Sequence, residues 1–345
     1  TPILCIAYGI IPTTYTILCK IVGLLNWKNY GSDFDSKYWL VKDACGMFTS
    51  ALTNFCIFGG AYVVNVYGLK QQLNTTIGMV HSVVVCSLLF LGAISQWQCM
   101  LTDPGAVPLD AIPLNTSKET SKETTTCKRC GTFKPRRAHH DRVSKRCVIK
   151  MDHYCPWVNN CVGFYNHKFF ILFLVYVCLG SLYSLGLLVT HLATCNHQCR
   201  GHDVGGQVLV LLVCVEALMF SLFTVSMFGE QMCNICHGNT QIDRLKSDDS
   251  SSWGKYDNLI DVFGDKGSVI WWFFPVHPSW VNLKSRIGYD LYTLTSSDAN
   301  NGEIELGLAN IRSRTPGRNN SKITSLLSSS SSSSSNGKTK KKNFD

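Results

Sequence analysis

Phe169 to Thr190 reads FFILFLVYVCLGSLYSLGLLVT, an apolar run without a single Asp, Glu, Lys, Arg or His. A bilayer core is crossed by roughly 20 such residues, so this stretch reads as a membrane span. Ala44 to Tyr67, Ile77 to Trp97 and Val208 to Phe228 read the same way, and His81 and Glu216 are the only members of those five residue types within them. Short gaps at Gly68 to Thr76 and His191 to Gln207 join the spans into two hairpins. The region between the hairpins therefore lies on the same side as the C-terminal tail. The expected fold class is an all-α polytopic membrane protein, a four-helix transmembrane bundle with a small cytosolic cysteine-rich domain between the second and third spans. Ile3 to Leu25 is also long and apolar but holds Pro12 and Lys20. It reads as a fifth span, an interfacial helix or a processed leader.

Composition agrees. Of the 345 residues 46% are hydrophobic and 16% charged, against about 25% charged in ordinary soluble chains. That balance excludes a wholly disordered chain. Seventeen Cys do not imply a disulfide scaffold, because Cys45, Cys56, Cys86, Cys178 and Cys214 lie in apolar runs where a thiol behaves as a small hydrophobe. Cys195 and Cys199, between the third and fourth spans, read as a disulfide or as two free thiols. Leu101 to Lys168 carries twelve Lys or Arg and six Asp or Glu, whereas the hairpin loops have one basic residue each, Lys70 and Arg200. The positive-inside rule then places the central region and the tail in the cytosol. A net charge of +9 on a membrane-tethered chain points to anionic lipid or a phosphate-bearing substrate rather than nucleic acid. The expected organisation is an N-terminal segment (1–43), hairpin one (44–99), the cysteine-rich domain (100–168), hairpin two (169–228), a C-terminal motif region (229–280) and a disordered tail (281–345) containing Ser328 to Ser335.

Between the hairpins stands CKRCGTFKPRRAHHDRVSKRCVIKMDHYCPWVNNCVGFYNHKFF, Cys127 to Phe170. Cys127 and Cys130 form a C-x2-C knuckle, and His140 and Cys147 follow at distances a short loop can close. Three thiolates and one imidazole suit a structural zinc, which needs no open coordination position. Asp152, His153 and Cys155 place a carboxylate, an imidazole and a thiol together, the set that generates a thiolate at neutral pH. On residue chemistry alone, Cys155 is either such a nucleophile or a further zinc ligand.

This segment resembles the cysteine-rich domain of the DHHC protein S-acyltransferases, C-x2-C-x9-H-C-x2-C-x2-C-x4-D-H-H-C-x5-C-x4-N-x3-F. Cys127, Cys130, His140, Cys147, Asp152, His153, Cys155, Cys161, Asn166 and Phe170 all fall in register. Asp103-Pro104-Gly105 resembles the family's D-P-G motif, Thr240 to Asp243 a degenerate T-T-x-E, and Asn258 to Gly264 its C-terminal N-x4-F-G. The wording is most similar to Golgi-type members, so the resemblance implies an endomembrane protein of the Golgi.

The resemblance implies a protein S-palmitoyltransferase using long-chain acyl-CoA and membrane-associated protein substrates. Cys155 is implied as nucleophile, His153 as base and Asp152 as its orienting group. Trp157 is implied to cap the acyl chain, Arg136, Arg137, Lys145 and Arg146 to meet the phosphates of CoA, and Gly180 to lie near the chain's end. Gly180 reads equally as a helix-packing glycine, and Glu216 has no assigned role. Three positions depart from the pattern: Asp141 and Ser144 replace Cys, and Tyr154 replaces the second His of D-H-H-C. With Cys161 these make up the family's second zinc site. One zinc is therefore expected, on Cys127, Cys130, His140 and Cys147, with a hydrogen-bonded Asp, Ser and Tyr cluster in place of the other. The competing expectation is a catalytically inactive membrane scaffold or adaptor.

Overall fold

The computed structural model describes residues 30–70, 72–114, 126–194, 204–246 and 254–291. The readings of Ile3 to Leu25, Cys195, Cys199, Arg200 and Ser328 to Ser335 lie outside the described residues.

Among the described residues, four helices are long and apolar enough to cross a membrane. Helix α1 (Ala44–Val63) starts at Asp43, whose carboxylate accepts from the Gly46 amide at 2.8 Å, satisfying one of the amides a helix start leaves free. A π-helical turn, Val64–Gly68, extends it. Helix α2 (Thr76–Leu101) is capped by Thr75, which accepts from the Gly78 amide. Helices α3 (His167–Thr194) and α4 (Val204–Cys236) complete the bundle. Span 4 is longer than its apolar run at both ends, because a helix keeps its internal hydrogen bonds after leaving the hydrocarbon. Its continuation, Gly229 to Cys236, carries Gln231 and Asn234 into the domain beyond.

Helix α3 is central, packed on α2 and on α4. Small residues line the inner faces, among them Gly46, Ser50, Thr53 and Gly60 of α1, as expected where helix association rests on close packing. Large apolar residues point outward, Phe55 with 74% of its surface free and Ile77 with 68%. In water that much exposed apolar surface would drive aggregation, whereas in lipid it is matched.

The cysteine-rich domain is not helical. It consists of short two-stranded ribbons, so the all-α expectation holds for the bundle alone. Strands β1 (Tyr30–Gly31) and β2 (Tyr38–Trp39) pair in parallel. Strand β3 (Ala111–Pro113) awaits a partner from the far end of the chain. Strands β4 (Ala138–His140) and β5 (Cys147–Ile149) pair antiparallel with His140 opposite Cys147. Strands β6 (His153–Cys155) and β7 (Asn160–Val162) set Tyr154 opposite Cys161. After α4 come α5 (Gln241–Lys246), α6 (Lys255–Phe263), a 3-10 turn (Val269–Phe273) and α7 (Leu283–Ile287). Strand β8 (Tyr289–Leu291) then pairs with β3. The chain therefore stays ordered past the expected boundary at residue 280, with Ile287 and Tyr289 buried in the domain's core beside Trp280. Their aromatic and aliphatic surface lacks periodicity in sequence because the segment is too short to show any.

The D-P-G motif turns the chain out of span 2. Asp103 accepts from the amides of Gly105 and Ala106 at 2.8 and 2.6 Å, and Gly105 adopts φ +105°, a conformation that favours glycine.

Candidate active site and metal centre

The ribbon β4–β5 carries His140 and Cys147 side by side, and the knuckle brings Cys127 and Cys130 to them. The knuckle is closed by the Cys127 amide donating to the Thr132 carbonyl and the Gly131 amide donating to the Cys127 carbonyl. The four ligand atoms lie within 4.8 Å of one another, the one such group among the described residues. Cys130 Sγ is 3.7 Å from Cys147 Sγ and 3.1 Å from His140 Nδ1. Ligands spread tetrahedrally about 2.3 Å from one ion have sulfurs about 3.8 Å apart, so the donor set and spacing fit a structural zinc.

The reactive constellation stands on the other ribbon. Asp152 is 1% exposed, and three groups converge on its carboxylate. His153 Nδ1 lies 2.8 Å from Oδ2, the Gln231 side-chain amide donates to the same oxygen at 2.8 Å, and the Gln241 backbone amide donates to Oδ1 at 2.7 Å. His167 Nε2 lies 2.8 Å from Gln231 Oε1 and steadies that amide. Burial alone would raise the Asp152 pKa, but the hydrogen bond from His153, the nearby His167 and the Gln241 amide outweigh it and hold the group at about 2. Burial works against a charged His153, yet its hydrogen bonds to Asp152 and Cys155 prevail and push it up to about 9. With Nδ1 taken by Asp152, Nε2 is the nitrogen left for the thiol. The ring is held edge-on to Phe170, centroids 5.2 Å apart. Cys155 is buried and belongs to the apolar cluster of the spans.

Between the spans a small cavity is lined by Ile57, Leu89, Val177, Val213, Phe220 and Glu216, among others. Trp157 stands above it, its ring near those of Phe220 and Phe223. Glu216, unassigned from sequence, faces the cavity and hydrogen-bonds the Cys56 thiol.

The degenerate T-Q-I-D segment works through the backbone: Gln241 reaches Asp152 with its main-chain amide. Asp243 caps α5, accepting from the Thr240 amide at 3.0 Å, and forms an ion pair with Arg137 at 2.6 Å. A side-chain pattern does not register a main-chain contact.

Three sequence-derived expectations are corrected here. Arg137 and Arg146 do not belong to a solvent-facing basic surface. Arg137 is committed to Asp243 and to the Gly238 carbonyl. Arg146 is buried, donates to the carbonyls of Ser32 and Val107, and stacks 3.7 Å from the Phe34 ring. A guanidinium taken out of water needs such partners. Arg136 and Lys145 are exposed, beside Lys128, Arg129 and Arg142. Gly180 is absent from the cavity wall: a Cβ there would lie 2.7 Å from Leu89 Cδ2, so it is a helix-packing glycine.

The third correction concerns the residues that replace the second metal half-site, which do not form one cluster. Asp141 closes its own turn, accepting from the Ser144 amide at 2.8 Å, while the Ser144 hydroxyl is buried without a partner. Tyr154 turns the other way and donates to Asp43 at 3.1 Å, 3.4 Å from Asn159 Oδ1. Cys161 is fully buried, and burial, with Asp141 and Asp152 nearby, pushes its thiol well above the ordinary range.

Sequence reading missed that the start of span 1 and the segment before it hold the turn from Pro156 to Asn160. Asn159 donates to the Val41 carbonyl at 2.8 Å, Thr49 to the Pro156 carbonyl at 2.6 Å, and Trp39 to Asn160 Oδ1 at 3.0 Å. A Cβ at Gly46 would lie 2.3 Å from Asn159 Oδ1, so only glycine allows this approach. Asp43 and Gln231 lie 112 and 76 residues from Cys155, and His167 and Asn159 lie 12 and 4 residues from it; nothing in the local pattern marks them. The one signal is Gln231, a polar residue on the helix just beyond the apolar end of span 4.

Comparison with known proteins converges on the same segment. The family model for the DHHC palmitoyltransferases matches residues 120–248. Palmitoyltransferase ZDHHC3-A of Danio rerio is 39% identical over 252 residues, covering 68% of this chain and 78% of that protein. Palmitoyltransferase ZDHHC7 of Rattus norvegicus is 34% identical over 256 residues, covering 70% and 82%. Palmitoyltransferase ZDHHC3 of Homo sapiens is 36% identical over 249 residues, covering 68% and 82%. With identity of this extent over two thirds of the chain or more, and with the family model matching residues 120–248, the chain belongs to the DHHC palmitoyltransferase family.

Proposed function

We propose that this chain is a protein S-palmitoyltransferase that moves a long-chain acyl group from acyl-CoA to cysteine thiols of membrane-associated proteins, through an acyl-enzyme on Cys155. The observation that carries this reading is His153 held between buried Asp152 and Cys155 at the head of the cavity. The Cys155 proton passes to His153, and the thiolate attacks the thioester carbonyl of acyl-CoA. A carbon–sulfur bond forms to Cys155, the bond to CoA breaks, and the CoA thiolate takes the proton from His153. A substrate cysteine then gives its proton to His153, attacks the acyl-enzyme and releases Cys155. One thioester replaces another, so no other energy source is required. Asp152 fixes the imidazole's tautomer and balances its charge throughout.

The acyl chain lies in the cavity beneath Trp157, and exposed Arg136 and Lys145 face the phosphates of CoA in water. Zinc on Cys127, Cys130, His140 and Cys147 supplies rigidity and no reactive group. One ion per chain is proposed, because a neutral, buried Cys161 beside hydrogen-bonded Asp141 and Tyr154 is a poor zinc donor set. The basic domain is placed in the cytosol by its charge, and the Golgi-like wording favours residence in that organelle.

Incubating the full chain with labelled palmitoyl-CoA tests the reading. Hydroxylamine-labile label that Cys155→Ser abolishes is the expected result, and absence of label on folded, zinc-bearing protein refutes it in favour of a scaffold.

A further inference from the structure

The segment GSVIWWFFPVHPSW, Gly267 to Trp280, has no Asp, Glu, Lys or Arg. Its apolar part is far too short to span a bilayer. It nevertheless presents Ile270, Trp271, Phe273, Phe274 and Val276 outward, Phe273 with 62% of its surface free. In a soluble turn those side chains would fold inward or be replaced by polar ones.

The neighbouring residues show at what depth the turn sits. Lys168, at the start of α3, is 1% exposed, and its ammonium donates to the carbonyls of Trp271 at 2.7 Å and Val276 at 2.9 Å. The Tyr176 hydroxyl donates to the Phe273 carbonyl. Tyr176 lies nine residues into α3, about 13 Å below its start at 1.5 Å per residue. The turn therefore hangs along the outside of span 3, well past the level of Lys168. Irregular backbone at such a depth is tolerated only when its polar groups are satisfied by protein. Here the three carbonyls are met by side chains of the span, and the amides of Trp271, Phe274 and Val276 are met within the turn. On the outside, Ile270, Trp271, Phe273 and Phe274 remain exposed, as do many apolar side chains of the helices.

We propose that Val269 to Val276 is a re-entrant anchor that inserts into the acyl region of the leaflet facing the cysteine-rich domain, with Lys168 and Tyr176 as its fasteners. Its occupant is the lipid of that same bilayer. Phe169 and Phe170 follow Lys168 directly, packing on His277 and His153 respectively. The anchor thus ties the height of the catalytic imidazole to the membrane surface.

Photocrosslinking tests this independently of acyl transfer. Benzoylphenylalanine is placed at Phe273, a conservative aromatic exchange, and separately at exposed Arg142 in the cysteine-rich domain. Each full-length protein is reconstituted in phosphatidylcholine vesicles and irradiated. Several-fold more phosphatidylcholine adduct at 273 than at 142 is expected. Parity between the two sites, or adducts at 273 mainly to a second copy of the chain, overturns the proposal. As a second measurement, Tyr176→Phe is expected to speed amide hydrogen exchange in residues 269–276 several-fold, with zinc content unchanged. Unaltered exchange overturns the fastener role.

Discussion

The two halves of the cysteine-rich domain solve the same problem with different chemistry. One half gathers Cys127, Cys130, His140 and Cys147 into a group ready for a metal. The other holds Asp141, Ser144, Tyr154 and Cys161, and is kept in shape by hydrogen bonds that reach outside the domain. A metal concentrates the whole constraint at one point, and its ligands lie close in sequence. Hydrogen bonds each contribute about 1 kcal/mol, so the second half enlists Thr49 of span 1 and Trp39, Val41 and Asp43 just before it. The β6–β7 ribbon, which carries the candidate residues His153 and Cys155, belongs to the second half. Its geometry is thereby coupled to the bundle that holds the cavity, which a self-contained metal site would not require.

The largest effect is expected from breaking the metal half. Cys147→Ala should remove the bound zinc and, because structural zinc contributes on the order of 10 kcal/mol to small domains, abolish autoacylation and cooperative melting of the domain. Zinc per chain by atomic absorption checks this, and retained activity without metal would show that the two halves are not divided as described. Asp43→Ala should leave the zinc in place yet slow autoacylation roughly tenfold, since a buried phenol loses its acceptor at a cost of about 1–3 kcal/mol. Tyr154→Phe removes donor and requirement together and should cost less, so a ranking of Asp43→Ala above Tyr154→Phe sharpens the comparison.

Gln231→Ala takes one donor from Asp152 and should slow the acylation step several-fold without changing the affinity for acyl-CoA. A pure affinity change would remove Gln231 from the positioning of the base. The pH dependence follows from the two perturbed groups. His153 is raised from 6.5 to about 9, so its stabilisation is complete below pH 6.5 and disappears as pH rises through about 9. Asp152 is lowered from 3.8 to about 2, so its contribution is present above pH 3.8 and disappears as pH falls through about 2. His153→Ala should therefore flatten the loss of stability between pH 6.5 and 9, measured by thermal melting. The smallest effect belongs to Ser144→Ala. Its hydroxyl is buried without a partner, and removing it should be neutral or stabilising by about 1 kcal/mol. A marked loss of stability would mean that this half is held together through Ser144.

Much of this was legible from the chain alone because its signals are local. Apolar runs such as Phe169 to Thr190 report a span wherever they occur, and Cys127, Cys130, His140 and Cys147 report a metal site because their spacing closes a loop. Arg137 and Arg146 were misread, and Gly180 was left between two readings, for a shared reason. A basic residue in a basic segment reads as solvent-facing, and a glycine in a span reads as open space, until the partner across the fold is known. Asp243, the Val107 carbonyl and Leu89 are those partners, and each is distant from the residue it occupies.

The sequence by itself pointed to the four apolar spans among the described residues, the family and a Cys127, Cys130, His140 and Cys147 group able to hold a metal, because hydrophobicity and short spacing are properties of neighbouring residues. Only the tertiary structure decided what holds the turn from Pro156 to Asn160, which of the basic residues are buried in ion pairs and hydrogen bonds, and which side chains meet the carbonyls of the turn at Val269 to Val276. Those depend on hydrogen bonds and burial between segments up to 121 residues apart, and no local pattern encodes the partner of a buried polar group.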